Sequence, residues 1–326
     1  MRRYLLKNST DFSALQPLLG AYAWQILQRT FGEIEVVQNF SNLTYPCILI
    51  EDAYPLLEED DLRPLETALE CGESLAVCGA YALQDEDDVV ALYPTRNQEA
   101  YDSAMVYSRL LRRLQNKIIE GWQRQGVLFE NPLTTRVDYT VTIGTGTRIY
   151  GENTLLGNTE IGENCTLYPG NFLRDATLYG SVELLSSTLH ACTVQSHATV
   201  GPTAHLRPGT IVGENVRIGD FVELKNAVIG ANTKIAHLAY VGDATVGQNC
   251  NFGCGAVVAN FNGKTKHQTH IGDDCFIGCN VNLIAPISVG KGTFVAAGTT
   301  LSDSVAEQRF VSARPDKREF PKRKNQ

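Results

Sequence analysis

No stretch of this sequence approaches the roughly 18 consecutive apolar residues that a membrane-spanning helix needs. A membrane is therefore not expected as a partner. A basic surplus is missing too, because the formal net charge is -8 at pH 7. Phosphate-backbone recognition needs a basic face, so nucleic acid is not expected either. The opening residues, MRRYLLKNSTDF, carry two arginines but too short an apolar run for an export signal. A cytoplasmic protein is expected. A disulfide framework is also absent: the 9 cysteines are odd in number and spread over 326 residues, which favours reduced thiols. With 43% hydrophobic and 20% charged residues, the chain reads as globular, with length for about two domains.

What the sequence does have is a period of six. Val137, Ile143, Ile149, Leu155, Ile161, Leu167 and Leu173 form one unbroken series. Val194, Val200, Leu206, Val212, Ile218 and Leu224 form another, and Ile229, Ile235 and Val241 follow a one-residue slip. Ile271, Ile277, Leu283, Val289, Val295 and Leu301 resume it after an interruption. Six fits neither a helix nor simple alternation along a strand. A hexapeptide step marks a parallel β-helix, in which three hexads make one triangular coil. About nine coils, stacked near 4.8 Å, give a prism on the order of 40–45 Å long. Register is lost between Leu173 and Val194, which predicts shortened corners there. The polar insertion ANFNGKTKHQTH, Ala259 to His270, must loop out of the wall. Loops on a rigid scaffold are where function concentrates.

Residues 1–97 lack hexads and read as a small α/β domain. Phe12 to Phe31 and Glu58 to Glu70 look helical, while Tyr45 to Ile50, Leu75 to Ala82 and Val89 to Leu92 look like strands. Residues 98–130 hold a connecting helix with Tyr107, Leu111, Leu114, Ile118 and Trp122 on one face and Gly126 at its end. The β-helix is assigned to 131–313 and a basic tail to 314–326.

No metal is expected. The paired spacings Cys250/Cys254 and Cys275/Cys279 fit a zinc site less well than small wall and corner side chains of neighbouring coils. The acidic run Glu58–Asp61 reads as a solvated helix start. His190, His197 and His205 do not repeat with His237 in the coil-to-coil pattern that zinc-bearing β-helices need.

Four words break the repeat: HLRPG, FVELKN, AHLAYVGDA and NCNFGCGAVVANFNGKTK. They supply Arg207, Lys225 and Lys266 as cations, His237 as a titratable base, and Tyr240, Asn251 and Asn260 as hydrogen-bonding groups. Cations with a histidine and amides suit an anionic substrate that must lose a proton.

These words, with IGDD, VGKGTFVAAGTT and SAR further on, closely resemble the acetyltransferase half of the bifunctional bacterial N-acetylglucosamine-1-phosphate uridyltransferase/glucosamine-1-phosphate acetyltransferase family. The likeness covers about 100–326 and is dense from 200 to 315. It implies a left-handed β-helix, a side-by-side homotrimer, and acetyl-CoA as co-substrate. It implies His237 as general base and Arg207, Lys225, Tyr240, Asn251 and Lys266 around the sugar phosphate, with Glu223 beside them. Asn260, Ala297 and Arg314 match acetyl-CoA contacts. Phe261 and Asn262 stand where the family has Tyr and Asp, and Cys254 and Cys279 where it has Ala and Ser. All four fall on the acetyl-CoA side.

The first hundred residues resemble a shortened uridyltransferase half. ALQPLLGAYAWQILQRTF and PCILIEDAYPLL match that half, with Glu51, Asp52 and Ala53 in place of its Gly-Asp pair. A Gly-rich nucleotide loop is lacking, so uridyl transfer is not expected. The expected activity is acetylation of glucosamine 1-phosphate. Another amino-sugar phosphate or nucleotide-sugar acceptor, or a non-catalytic trimeric scaffold, are the alternatives.

Overall fold

The computed structural model describes residues 2–6, 23–32, 34–37, 47–51, 59–70, 75–77, 80–83, 91–93 and 104–313. The chain forms two compact units, one of Met1–Gly121 with Val137–Thr140, the other of Trp122–Arg136 with Val141–Gln326.

The first unit is built of strands and helices. Its sheet of six strands runs in the order Glu35–Val37, Arg2–Leu6, Cys47–Glu51, Ala80–Leu83, Leu75–Val77, Ala91–Tyr93. Ala80–Leu83 is antiparallel to both neighbours; the other pairings are parallel. Leu75 to Ala82, expected as one strand, is thus two antiparallel strands. Helices α1 (Ala23–Phe31) and α2 (Glu59–Glu70) supply Leu27, Phe31, Leu62, Leu65 and Leu69 to a core with Ile48 and Ile50. The part of the expected first helix before residue 23 lies outside the described residues. Helix α3 (Ala104–Arg124) is the helix expected within 98–130, and Gly126, just past its end, is in the left-handed region at φ 88°. Among the described residues no helix is long and apolar enough to cross a membrane.

The second unit is a left-handed parallel β-helix of hexapeptide repeats. Its first face stacks 11 strands, from Leu128–Phe129 to Phe310–Val311. That gives ten turns between the first and last strands, one more than the hexad count. The second face runs through Thr154–Leu156, His205–Leu206, Glu223, Tyr240 and Val257–Ala259. The third runs through Thr142–Ile143, Ile211–Val212, Thr269–Ile271 and Ile287–Val289.

The hexad residues point inward as expected: Ile149, Leu155, Leu206, Leu224, Ile235 and Val241 are fully buried. The core column also crosses the stretch where register is lost. Leu173, Leu178, Leu184, Leu189 and Val194 are all buried, with five-residue steps at three of the four links. The glycines that follow many inward residues serve close stacking. A Cβ on Gly144 would lie 2.5 Å from the Glu163 amide nitrogen of the next coil, and one on Gly230 2.6 Å from that of Gln248. The left-handed corner positions are a separate set, taken largely by Asn, Asp and Gly.

Candidate active site

The polar words occupy consecutive coils. Strand Glu223–Ile229 pairs with Tyr240–Val246 so that Glu223 faces Tyr240, Lys225 faces Gly242, and Leu224 and Val241 fill the core. His205 lies on the other side of Glu223. Arg207 therefore reaches along the face, and its Nη1 donates to Glu223 Oε1 at 2.8 Å. Both side chains are well exposed, so this pair orients Arg207 more than it stabilises the fold.

Where the second face turns into the third, the corner is built from Gly209, Asn226, Asp243 and Asn260. Gly209, Asn226 and Asp243 are all left-handed, at φ 80°, 47° and 47°. The side chains of Asn226, Asp243 and Asn260 form a rail from coil to coil. Asn226 Nδ2 donates to Asp243 Oδ1 at 2.8 Å, and Asn260 Nδ2 donates to Asp243 Oδ2 at 2.5 Å. Asp243 and Asn260 are buried. Burial pushes the Asp243 carboxyl up. The bonds from Asn226 and Asn260, with the Lys225 and Lys266 charges, outweigh burial and hold it below the usual aspartate range. Tyr240 closes this corner: a Cβ on Gly242 would collide with the Tyr240 hydroxyl and the Asn260 amide.

Lys266 arrives from the insertion, which does loop out of the wall. The strands on its two sides of the first face, Asn251–Phe252 and Phe276–Ile277, are 25 residues apart and still pair in register. Phe261 bridges Lys266 in antiparallel fashion, and the His267 amide donates to the Asn260 carbonyl at 2.8 Å. Asn262 Oδ1 accepts from the Lys264 and Thr265 amides, both at 2.9 Å, which shapes the tip. Asn thus performs the turn-forming work at this position. Lys266 comes close enough to Lys225 to depress the Lys225 pKa, by its side-chain contact first; loss of hydration comes next, then the charges of Lys266 and Arg207, and Asp243 opposes them. Like charges crowded at one corner are stabilised by an anion.

His237 lies at the other edge of the same face. It ends strand Lys234–His237, stacks on Asp220, and is exposed three residues before Tyr240. The register from Asn251 and Phe276 carries this corner upward through Cys254, Cys279 and Ala297. The next residue at each level is left-handed: Phe221, Leu238, Gly255, Asn280 and Gly298, at φ 56°, 41°, 76°, 54° and 72°. Two of these are bulky apolar residues, and strain of that kind clusters at functional sites. Cys254 and Cys279 are exposed, whereas Cys250 and Cys275 are buried. Wall and corner positions in neighbouring coils are thus found for the two pairs as expected, but only the inner pair is buried, because the outer pair sits on the corner crest.

The expected residues therefore fall into three places. Arg207, Glu223, Lys225, Tyr240, Asn260 and Lys266 converge at the second-to-third corner, with Phe261 exposed at the base of the loop. His237, Cys254, Cys279 and Ala297 share the first-to-second corner. Asn251 stands apart on the first face, stacked between Lys234 and Phe276. Arg314 lies outside the described residues. Sequence reasoning passed over Asn226, Asp243 and Asp220, although each sits inside a quoted word or beside one. A carboxylate next to a glycine at a corner was the available signal.

The six-repeat bacterial transferase hexapeptide family matches residues 268–303, and the GMPPB C-terminal domain family matches residues 188–265. Among individual proteins, the bifunctional protein GlmU of Clostridium beijerinckii is 44% identical over 205 residues, 63% of this chain and 45% of that protein. The chain thus spans about half the length of such relatives. Longer matches exist to the bifunctional protein GlmU of Exiguobacterium sibiricum, 40% identical over 95% of this chain and 73% of that protein, and of Clostridium kluyveri, 34% identical over 95% and 72%. The likeness runs through both units, and the chain belongs to the GlmU family.

Proposed function

We propose that this chain transfers an acetyl group from acetyl-CoA to the amine of glucosamine 1-phosphate, giving N-acetylglucosamine 1-phosphate. One observation carries the reading: a single face has an exposed histidine at one edge and three cations at the other, with Glu223 and Tyr240 between. That polarity suits a phosphorylated amine. The phosphate binds Arg207, Lys225 and Lys266 through charge-assisted hydrogen bonds. The amine then lies towards His237.

A protonated amine has no free pair, so neutral His237 takes its proton. The nitrogen attacks the thioester carbonyl and gives up a second proton, and the C–S bond breaks as the tetrahedral adduct collapses; one proton passes to the departing thiolate and the other leaves His237 for solvent. Acetyl-CoA lies along Cys254, Cys279 and Ala297, above His237 on the same corner, and near Asn260 and Phe261, with Arg314 in reserve on the tail. The acting form is a homotrimer with columns side by side, so that corners of different copies meet and Asn251 of the first face is brought to bear. Uridyl transfer lies outside these residues, which hold no Gly-rich nucleotide loop.

The test is thiol release from acetyl-CoA by the purified chain, offered glucosamine 1-phosphate, other amino-sugar phosphates and amino nucleotide sugars in turn. Release with glucosamine 1-phosphate, and its fall by about 10²–10⁴-fold in His237→Ala, are expected. Release only with another acceptor contradicts the substrate. No release, with no coenzyme A binding by calorimetry, contradicts catalysis. Pyrophosphate release from UTP is expected to be nil.

A further inference from the structure

We propose that Cys254 and Cys279 form a cross-coil dithiol, which a low-molecular-weight disulfide oxidises to a reversible intramolecular disulfide. Among the described residues these are the exposed cysteines; Cys47, Cys165, Cys192, Cys250 and Cys275 are buried.

The register stacks the two cysteines on adjacent coils. Phe252 pairs with Ile277 in parallel, the Gly253 amide donates to the Ile277 carbonyl at 2.7 Å, and the Asn280 amide donates to the Cys254 carbonyl at 2.8 Å. Cys254 and Cys279 are therefore directly stacked, about 4.8 Å apart at Cα as in any strand ladder. A disulfide spans roughly 4.4–6.8 Å between Cα atoms. Backbone direction agrees as well. Each cysteine is followed by a left-handed residue, Gly255 at φ 76° and Asn280 at φ 54°, so both side chains leave the crest the same way. The glycines flanking Cys254 confirm close stacking: a Cβ on Gly253 would collide with the Cys279 amide, and one on Gly255 with the Asn280 side chain. The 25-residue step between these coils does not separate them, because the insertion leaves from a different corner.

The chemistry is thiol–disulfide exchange. One thiolate attacks a sulfur of RS–SR, forming a mixed disulfide and releasing RS⁻. The second thiolate attacks the protein sulfur of that mixed disulfide, the S–S bond to R breaks, and a second RS⁻ leaves. The dithiol loses two electrons and two protons, and RS–SR becomes two RSH. The buried thiols stay out of the exchange because the reagent cannot reach them; burial pushes Cys47 up to about 11 and, against a backbone hydrogen bond at His190, Cys192 to about 12, whereas contact with Cys250 lowers the buried Cys275 to about 7.

The dithiol stands without the acetyl-transfer reading. Its consequence rests on that reading: the bond draws together two side chains of the acetyl-CoA edge and lowers donor affinity.

The test treats the intact native protein with oxidised glutathione, then maps its peptides without reduction. The expected result is a Cys254–Cys279 cross-linked peptide, lost on adding dithiothreitol. Cys254→Ser and Cys279→Ser are each expected to stop at a glutathione adduct on the remaining member of the pair. Separate adducts on both cysteines of the unmutated protein, a disulfide joining two copies, or two unreacted thiols each overturn the proposal. Coenzyme A titrations of reduced and oxidised protein then read the consequence, with affinity expected to fall roughly tenfold. Equal affinity in both forms overturns the consequence. A reduced protein that binds no coenzyme A overturns the acetyl-transfer reading and leaves the cross-link standing on the peptide map.

Discussion

Asp243 holds the corner of the proposed phosphate site in shape. Both of its oxygens accept from amides on the coils above and below. Asp243→Ala leaves the buried Asn260 amide without its partner, which costs about 1–3 kcal/mol. Urea unfolding is expected to show that loss, and the KM for glucosamine 1-phosphate is expected to rise more than kcat falls. The pH dependence follows from the sign of the shift. The Asp243 value is depressed in the folded state, so its stabilising contribution is complete above the ordinary aspartate range and disappears as pH falls through the depressed value. Asp243→Asn is expected to flatten the acid limb of the stability profile. Lys225 behaves oppositely: its value is lowered by Lys266 and Arg207, and a bound phosphate raises it again. Phosphate-ester binding near the lysine range is thus expected to take up protons, measurable as a buffer-dependent heat in calorimetry. Gly242→Ala places a methyl against the Tyr240 hydroxyl and the Asn260 amide, and raises KM while the fold persists.

At the scale of elements, the wall and the loop separate cleanly. Leu224 is fully buried in the central stack, so Leu224→Ala is expected to cost about 2–5 kcal/mol in thermal or urea unfolding, with little left for catalysis to reveal. Asn262→Ala removes the acceptor that shapes the loop tip and leaves the wall alone; unfolding is expected to be unchanged while sugar-phosphate KM rises. The hexad made the wall legible residue by residue, since one inward side chain per face is all a coil demands. Five-residue steps such as Leu184 to Leu189 were lost to that rule, because a shortened corner changes the count without changing which residue points inward. Strand Arg2–Leu6 went unread because a five-residue segment opening on two arginines shows no alternation. Val77 to Ala80 hid a reversal inside a continuous apolar run. The cationic corner was legible as a set of words. The separation of His237 from it was not, since words give order along a face and not the edge at which each side chain leaves.

For the molecule as a whole, the family likeness spans both units, while the chemistry argued for lies in the β-helix. Its central claim is that one face handles a phosphate and an amine at opposite edges. The direct measurement is kcat/KM for glucosamine 1-phosphate against unphosphorylated glucosamine, in the unmutated chain and in Lys225→Ala. A charge-assisted contact contributes about 1.5–3 kcal/mol, so the preference for the phosphate is expected to be large in the unmutated chain and to shrink by roughly 10–100-fold in the variant. Equal rates for both sugars, or a preference untouched by Lys225→Ala, would contradict the account.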